Sequence, residues 1–321
     1  MVFLIRENFL SMILFYTAIF FLPIFFLGCF PSPNIQNSSA KQIGPSLINL
    51  AQDFNVTKPF FIDGGTFSIS RDGVMYFVDS ENKFVVRKAN LQAPEASSEF
   101  INLNEWLKKD NLQDFEIDDL WCDSAGRVVL AESTTGKILR ISGDARKLEN
   151  LADSYDGYRL TKIRGLAGNQ EGQIFIGTPN AATMYEFDPV SGTLNVINEE
   201  LIRPNDFSME LKGDRLLVAE SEPNRIVVFE MNSIQNVHLG WDLIQFPTPL
   251  NEPISLDLMD NNNHLAVLSQ KGLSLLVFDL SDGVIKKHYN LPERCLRVRY
   301  ERGWFYLLTD RGIMRIINSS G

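Results

Sequence analysis

Asp118 and Asn205 are the side chains whose type and spacing best suit divalent-cation chemistry. Each stands eight residues before a turn glycine, Gly126 and Gly213, and each offers a hard oxygen donor. The same offset from the other turn glycines selects Gly65, Arg164 and Cys295, and the unit without a glycine gives Ile254 or Ser255. Calcium takes about six to eight oxygens, so the donor set is thin: four of these six positions carry neither carboxylate nor amide. Arg164 facing Asp118 would neutralise it without any metal.

Other reactive groups are placed for structure. His238, His264 and His288 fall in or beside second and fourth strands of the repeating units, away from this column. A Ser or Cys nucleophile therefore lacks a histidine base. Cys122 lies among apolar neighbours and reads as a small buried hydrophobe. Cys295 sits in the column in a unit not adjacent to that of Cys122, so no bridge between them is expected, and the three cysteines show no zinc-type spacing. The polar loops Asp79-Ser80-Glu81, Glu132-Ser133-Thr134, Glu220-Ser221-Glu222 and Thr309-Asp310-Arg311 carry two readings. One is local turn chemistry, in which Asp, Ser and Thr satisfy nearby backbone groups. The other is an acidic rim in which Glu132 and Glu220, with Asp119 and Arg164, meet a cationic or polar ligand or a protein partner.

A repeat positions these groups. Turn glycines recur at Gly73, Gly126, Gly172, Gly213 and Gly303, with gaps of 53, 46, 41 and 90 residues, the last close to two periods. Asn261-Asn262-Asn263 stands where the missing turn belongs, and asparagine also tolerates the left-handed conformation. Each turn precedes an apolar run such as Val128 to Ala131 or Leu216 to Ala219, then a polar loop, then a second run such as Ile138 to Ile141 or Ile226 to Phe229. Six units of about 45 residues, with short strands and little helical periodicity, predict an all-β fold: a six-bladed β-propeller of four-stranded blades. The sixth unit ends too soon for its fourth strand. Leu47-Ile48-Asn49-Leu50-Ala51 is similar to the fourth-strand run Leu148 to Ala152, so Ser46 to Gln52 is expected to complete the last blade beside Ile313 to Ile317 and close the ring.

The stretch RPNDFSMELKGDRLLVAESEPNRIVVFE, from Arg203, resembles the Pro-Asn-Gly blade of the gluconolactonase/regucalcin superfamily, whose relatives include strictosidine-synthase-like, paraoxonase and NHL-like propellers. GLAGNQEGQIFIGT, Gly165 to Thr178, resembles their neighbouring blade. The resemblance implies a divalent metal, calcium or zinc, at the channel mouth and hydrolysis of lactones or similar esters, with Asn205 as a ligand and Asp118 as the available carboxylate. It departs from the family pattern at Gly64-Gly65 and at Ile254/Ser255, where acidic ligands are expected.

The chain of 321 residues has a formal net charge of −10, against a nucleic-acid partner. Its N-terminus, residues 1–28, reads as an export signal: Ile13 to Leu27 is an uncharged apolar run of 15 residues, too short to span a bilayer, ending in Phe26-Leu27-Gly28-Cys29. That tetrapeptide resembles a bacterial lipobox, which implies acylation of Cys29 and a membrane-anchored lipoprotein of the cell envelope. Residues 29–45, rich in Pro, Ser, Asn and Gln, read as a flexible tether, and 46–321 as the propeller. Two functions are compatible with these features: a tethered module that binds a ligand or protein at its rigid face, or a metal-dependent lactonase with its site at the channel mouth.

Overall fold

Each turn closes a hairpin between the first and second strands of a blade. The computed structural model describes residues 52–318, apart from 57–58, 108–114, 133, 179–181, 199–200, 211–214, 232–239, 242–249, 260–261 and 282. The leader, Cys29, the tether, Gly213 and His238 lie outside the described residues.

Six blade sheets succeed one another in chain order, with a two-stranded hairpin, Ser154–Tyr155 and Tyr158–Arg159, between blades 2 and 3. Blade 1 is Phe67–Ile69, Val74–Val78, Val85–Asn90 and Ser98–Asn102. Blade 2 is Ile117–Cys122, Val128–Glu132, Lys137–Ile141 and Leu148–Ala152; blade 3 is Arg164–Gly168, Ile174–Thr178, Thr183–Asp188 and Thr193–Asn198. Blade 4 is Pro204–Met209, Arg215–Glu220, Arg225–Glu230 and Gly240–Trp241; blade 5 is Ser255–Met259, His264–Ser269, Ser274–Asp279 and Ile285–Asn290. Blade 6 contributes Cys295–Glu301, Trp304–Thr309 and Gly312–Ile317. The turn glycines Gly73, Gly126, Gly172 and Gly303 have φ between 71° and 89°, and Asn262 replaces the missing one at φ 69°.

The second strands read as continuous apolar runs because both faces are covered; Val128–Glu132 is buried throughout. Six hydrophobic clusters result, one at each blade-to-blade seam. Leu130 and Val86 share the first, Phe207 and Phe175 the third, and Phe67 and Tyr306 the one that joins the last blade to the first.

An N-terminal strand does close the ring in the last blade, and it is Phe60–Ile62; of the expected segment Ser46 to Gln52, all but Gln52 lies outside the described residues. It runs antiparallel on Gly312–Ile317, with Phe60 opposite Arg315 and Ile62 opposite Ile313. Gln52 begins a separate strand, Gln52–Asn55, which lies parallel outside Ile285–Asn290 of blade 5. The burial pattern gives the reason. Ile62 enters the core of the closing seam, whereas Gln52 and Asp53 are polar and exposed. Phe61 and Phe60 lie under the guanidiniums of Arg311 and Arg315, at 4.3 and 5.0 Å, which holds the short strand in place.

Candidate functional site

The first strands ring the axis, and most carry a β-bulge near their start. Register shifts fall between Ile117 and Asp119, Arg164 and Leu166, Pro204 and Asp206, and Cys295 and Arg297. Asp118 and Asn205 occupy the bulges themselves. A bulge inserts one residue and re-aims those after it, so the side chains that meet at the axis are the next ones along: Asp119, Asp206 and Arg297.

These three, with Arg299, form a buried network. Arg297 Nη1 of blade 6 donates to Asp119 Oδ1 of blade 2, and its Nη2 lies 3.8 Å from Asp206 Oδ1 of blade 4. Arg299 donates from Nη1 and Nη2 to the two oxygens of Asp206, at 2.9 and 3.0 Å. All four residues are buried. Burial alone would raise the Asp206 carboxyl, but Arg299 and then Arg297 outweigh it and hold it below the usual carboxylate range. Burial also works against the charge on Arg299, and Asp206 reverses that, pulling its pKa up.

The same side chains stitch neighbouring blades. Asp119 accepts from the Leu166 N–H at 2.8 Å, Asp206 from the Leu256 N–H at 3.3 Å, and Ser255 Oγ from the Val298 N–H at 3.0 Å. Arg297 Nη1 donates back to the Phe67 carbonyl at 3.4 Å. Each inner-strand amide reached this way is a buried donor that would otherwise lack a partner.

Two residues beyond this layer, the period-2 alternation brings Trp121, Gly168, Ser208, Asp257 and Arg299 to the axis at the turn end of the ring. There lies a cavity of about 590 Å³, lined from every blade, including Arg71, Trp121, Asn169, Ser208, Asp257 and Tyr300. A Cβ at Gly168 would sit 2.5 Å from the Trp121 ring, so glycine is what lets the indole lie across the next blade. Asp257 is half-buried on the cavity wall. Its Oδ1 accepts from Ser208 Oγ at 3.1 Å and its Oδ2 from the Tyr300 N–H at 2.7 Å. Burial pushes its pKa up to about 6, against the pull of Arg299 and the Tyr300 amide.

Of the residues singled out in sequence, Asp119 belongs to the axial network, and the others sit elsewhere. Asp118 and Asn205 are half-buried and Arg164 exposed, at the strand-start end of the ring, opposite the cavity. Asn205 Nδ2 donates to the Pro253 carbonyl at 3.4 Å. Glu132 accepts from the Thr134 and Thr135 amides at 2.6 and 2.8 Å, and Glu220 accepts from Arg225 Nε at 2.6 Å and the Arg203 amide at 3.3 Å. Both glutamates are fully buried under their own loops. His264 and His288 lie in second and fourth strands, and burial pushes the Cys122 and Cys295 thiols up to about 12.

The axial carboxylates do not fit a divalent cation. Asp119 and Asp206 are hydrogen-bonded by guanidiniums, and among the described residues no group of three or more His, Cys, Asp or Glu side chains could hold a metal ion. Arg297, Arg299, Asp206, Ser255 and Asp257 carry the site instead. Their signal in the sequence is a polar–apolar–polar alternation inside otherwise apolar strands: Asp206-Phe207-Ser208, Ser255-Leu256-Asp257 and Arg297-Val298-Arg299.

No family model matches the sequence, and no curated protein is significantly similar to it. Solved structures do match. A luciferin-regenerating enzyme aligns with TM-score 0.59 and 12% identity over 82% of this chain and 96% of that one. Streptogramin B lyase aligns with TM-score 0.56 and 14% identity over 82% and 87%, and a protein described as a gluconolactonase with 0.55 and 14% over 81% and 90%. At these identities the likeness is one of fold, and that fold is the six-bladed propeller of gluconolactonase-like and lyase-like proteins, closed here by an N-terminal strand.

Proposed function

We propose that the protein is an exported, membrane-tethered propeller that binds a small ligand or protein partner at its rigid face and performs no hydrolysis. The observation that carries this reading is the charge balance at the axis. Asp119 and Asp206, the most deeply buried carboxylates there, are held by Arg297 and Arg299 and stitch strands together, so they serve the scaffold. The cavity drawing on all six blades supplies the binding surface. Cys29, acylated in the envelope membrane, would supply the tether. The net charge of −10 sets nucleic acid aside as a partner.

A second reading is a divalent-metal-dependent lactonase or esterase, supported by the gluconolactonase likeness and by Asn205 near the strand-start mouth. One experiment separates the two. The purified chain is assayed against a panel of lactones and aryl esters with and without millimolar calcium or zinc, while its melting temperature is followed. The binding reading expects no turnover and no metal-dependent shift. Turnover that disappears in Asn205→Ala would replace it with the hydrolase reading.

A further inference from the structure

The axial cluster does not balance to zero. Asp119, Asp206 and Asp257 face Arg297 and Arg299, three carboxylates against two guanidiniums. The pairing is unequal too. Arg297 donates to Asp119 and Arg299 doubly to Asp206, whereas among the described residues Asp257 receives the Ser208 hydroxyl and the Tyr300 amide and no guanidinium hydrogen bond. The surplus negative charge therefore resides on Asp257, the one carboxylate of the five groups that lines the cavity. Each of its oxygens keeps a further lone pair for a donor.

Among the described residues, the other acidic groups at the cavity have partners of their own, and the remaining cation, Arg71, stands at its rim. Asp123 lies 2.5 Å from Arg127, Glu301 pairs with Arg302 at 3.3 Å, and Arg71 is an exposed residue of the blade 1 turn. Below this rim the walls turn apolar, with Ile69, Trp121, Met209 and Leu258. A half-buried carboxylate beside apolar walls favours a cation that brings its own donors, and aromatic faces add to that attraction.

We infer that the turn-end cavity takes a small organic ligand that carries one primary ammonium group on an apolar body, with the ammonium seated on Asp257. This rests on the binding reading and names its ligand class. The ammonium fills the vacant lone pairs of Asp257, restores neutrality to the axial cluster, and lays its body along Trp121. The net charge of −10 on the chain favours the approach of such a cation.

The test uses the full chain and three matched probes, benzylammonium, benzyl alcohol and benzoate, with calorimetry or saturation-transfer NMR at pH 7.5 and pH 5. Benzylammonium is expected to bind at pH 7.5 about ten- to a hundredfold more tightly than benzyl alcohol. Its binding weakens at pH 5, as Asp257 takes up a proton. Asp257→Asn is expected to abolish the preference, while Asp123→Asn, at the rim, leaves it intact. Should Asp257→Asn fold poorly, the pH dependence of the natural chain carries the same decision. Equal binding of all three probes, or a preference as large at pH 5 as at pH 7.5, overturns the inference. Benzyl alcohol or benzoate binding in place of benzylammonium overturns it as well, yet leaves the protein a binding module; lactone turnover in the separate assay removes that reading itself.

Discussion

Arg297 of the last blade reaches past blade 1 to hydrogen-bond Asp119 of blade 2, and Arg299, two residues on, reaches past blade 5 to clasp Asp206 of blade 4. One strand, Cys295–Glu301, thus holds both halves of the ring across the axis.

Removing one partner of that network strands a buried charge. Arg297→Ala is expected to cost about 3–5 kcal/mol, read as a fall in the urea midpoint. Asp119→Asn combined with Arg297→Met should recover part of that loss, because it removes both charges, refills the volume and keeps an acceptor for the Leu166 amide. A double variant no more stable than Arg297→Ala would show that a stranded charge is not the source of the loss.

The two aspartates that feel the charge of Arg299 pull stability in opposite directions with pH. The folded pKa of Asp257, about 6, is above its ordinary value of 3.8, so the folded state holds the proton more tightly. Stability is therefore expected to fall as pH rises from about 4 to about 6. Asp206, held below its ordinary value, contributes fully above about pH 4, and that contribution fades as pH falls through its lowered pKa. Urea titrations from pH 3 to pH 8 check both, and Asp257→Asn should flatten the limb between pH 4 and pH 6.

The closing strand divides sharply by face. Ile62 is buried in the last seam and Phe60 is 44% exposed. Ile62→Ala should cost about 2–4 kcal/mol, and Phe60→Ala less than 1 kcal/mol or so. Deleting the chain through Asp63 leaves blade 6 with three strands and should broaden thermal unfolding in calorimetry.

Burial of the two core thiols should make them inert. With pKa values pushed up to about 12, Cys122 and Cys295 in a Cys29→Ser background should react with Ellman's reagent at pH 8 at least about a hundredfold more slowly in the native protein than in urea. The same variant tests the tether: loss of membrane partitioning supports acylation at Cys29, and retention of it argues for another anchor.

The ring was legible in the sequence because its turns need positive φ, and glycine or asparagine marks each one. Asn262 at φ 69° justifies reading a turn where the glycine spacing doubles. The closing strand was hidden because Phe60-Phe61-Ile62 is only three residues long and abuts the start of blade 1. Asp119 was read as a rim residue, while the column counted back from the turns stops one position short of the axis. Counting back a fixed number of residues lands on Asp118 and Asn205, but a bulge adds a residue the alternation does not count, and the axis receives Asp119 and Asp206. The arginines were hidden by distance, since Arg297 lies 178 residues from Asp119.

Both axial arginines belong to the last first-strand to be synthesised. A nascent chain that has emerged only as far as blade 5 already holds Asp119 and Asp206, yet no guanidinium exists to meet either one. The keystone arrives late, so the five earlier blades can assemble loosely but cannot lock. Emergence of Cys295–Glu301, rather than of any earlier hairpin, is expected to set the moment at which this ring becomes one cooperative body.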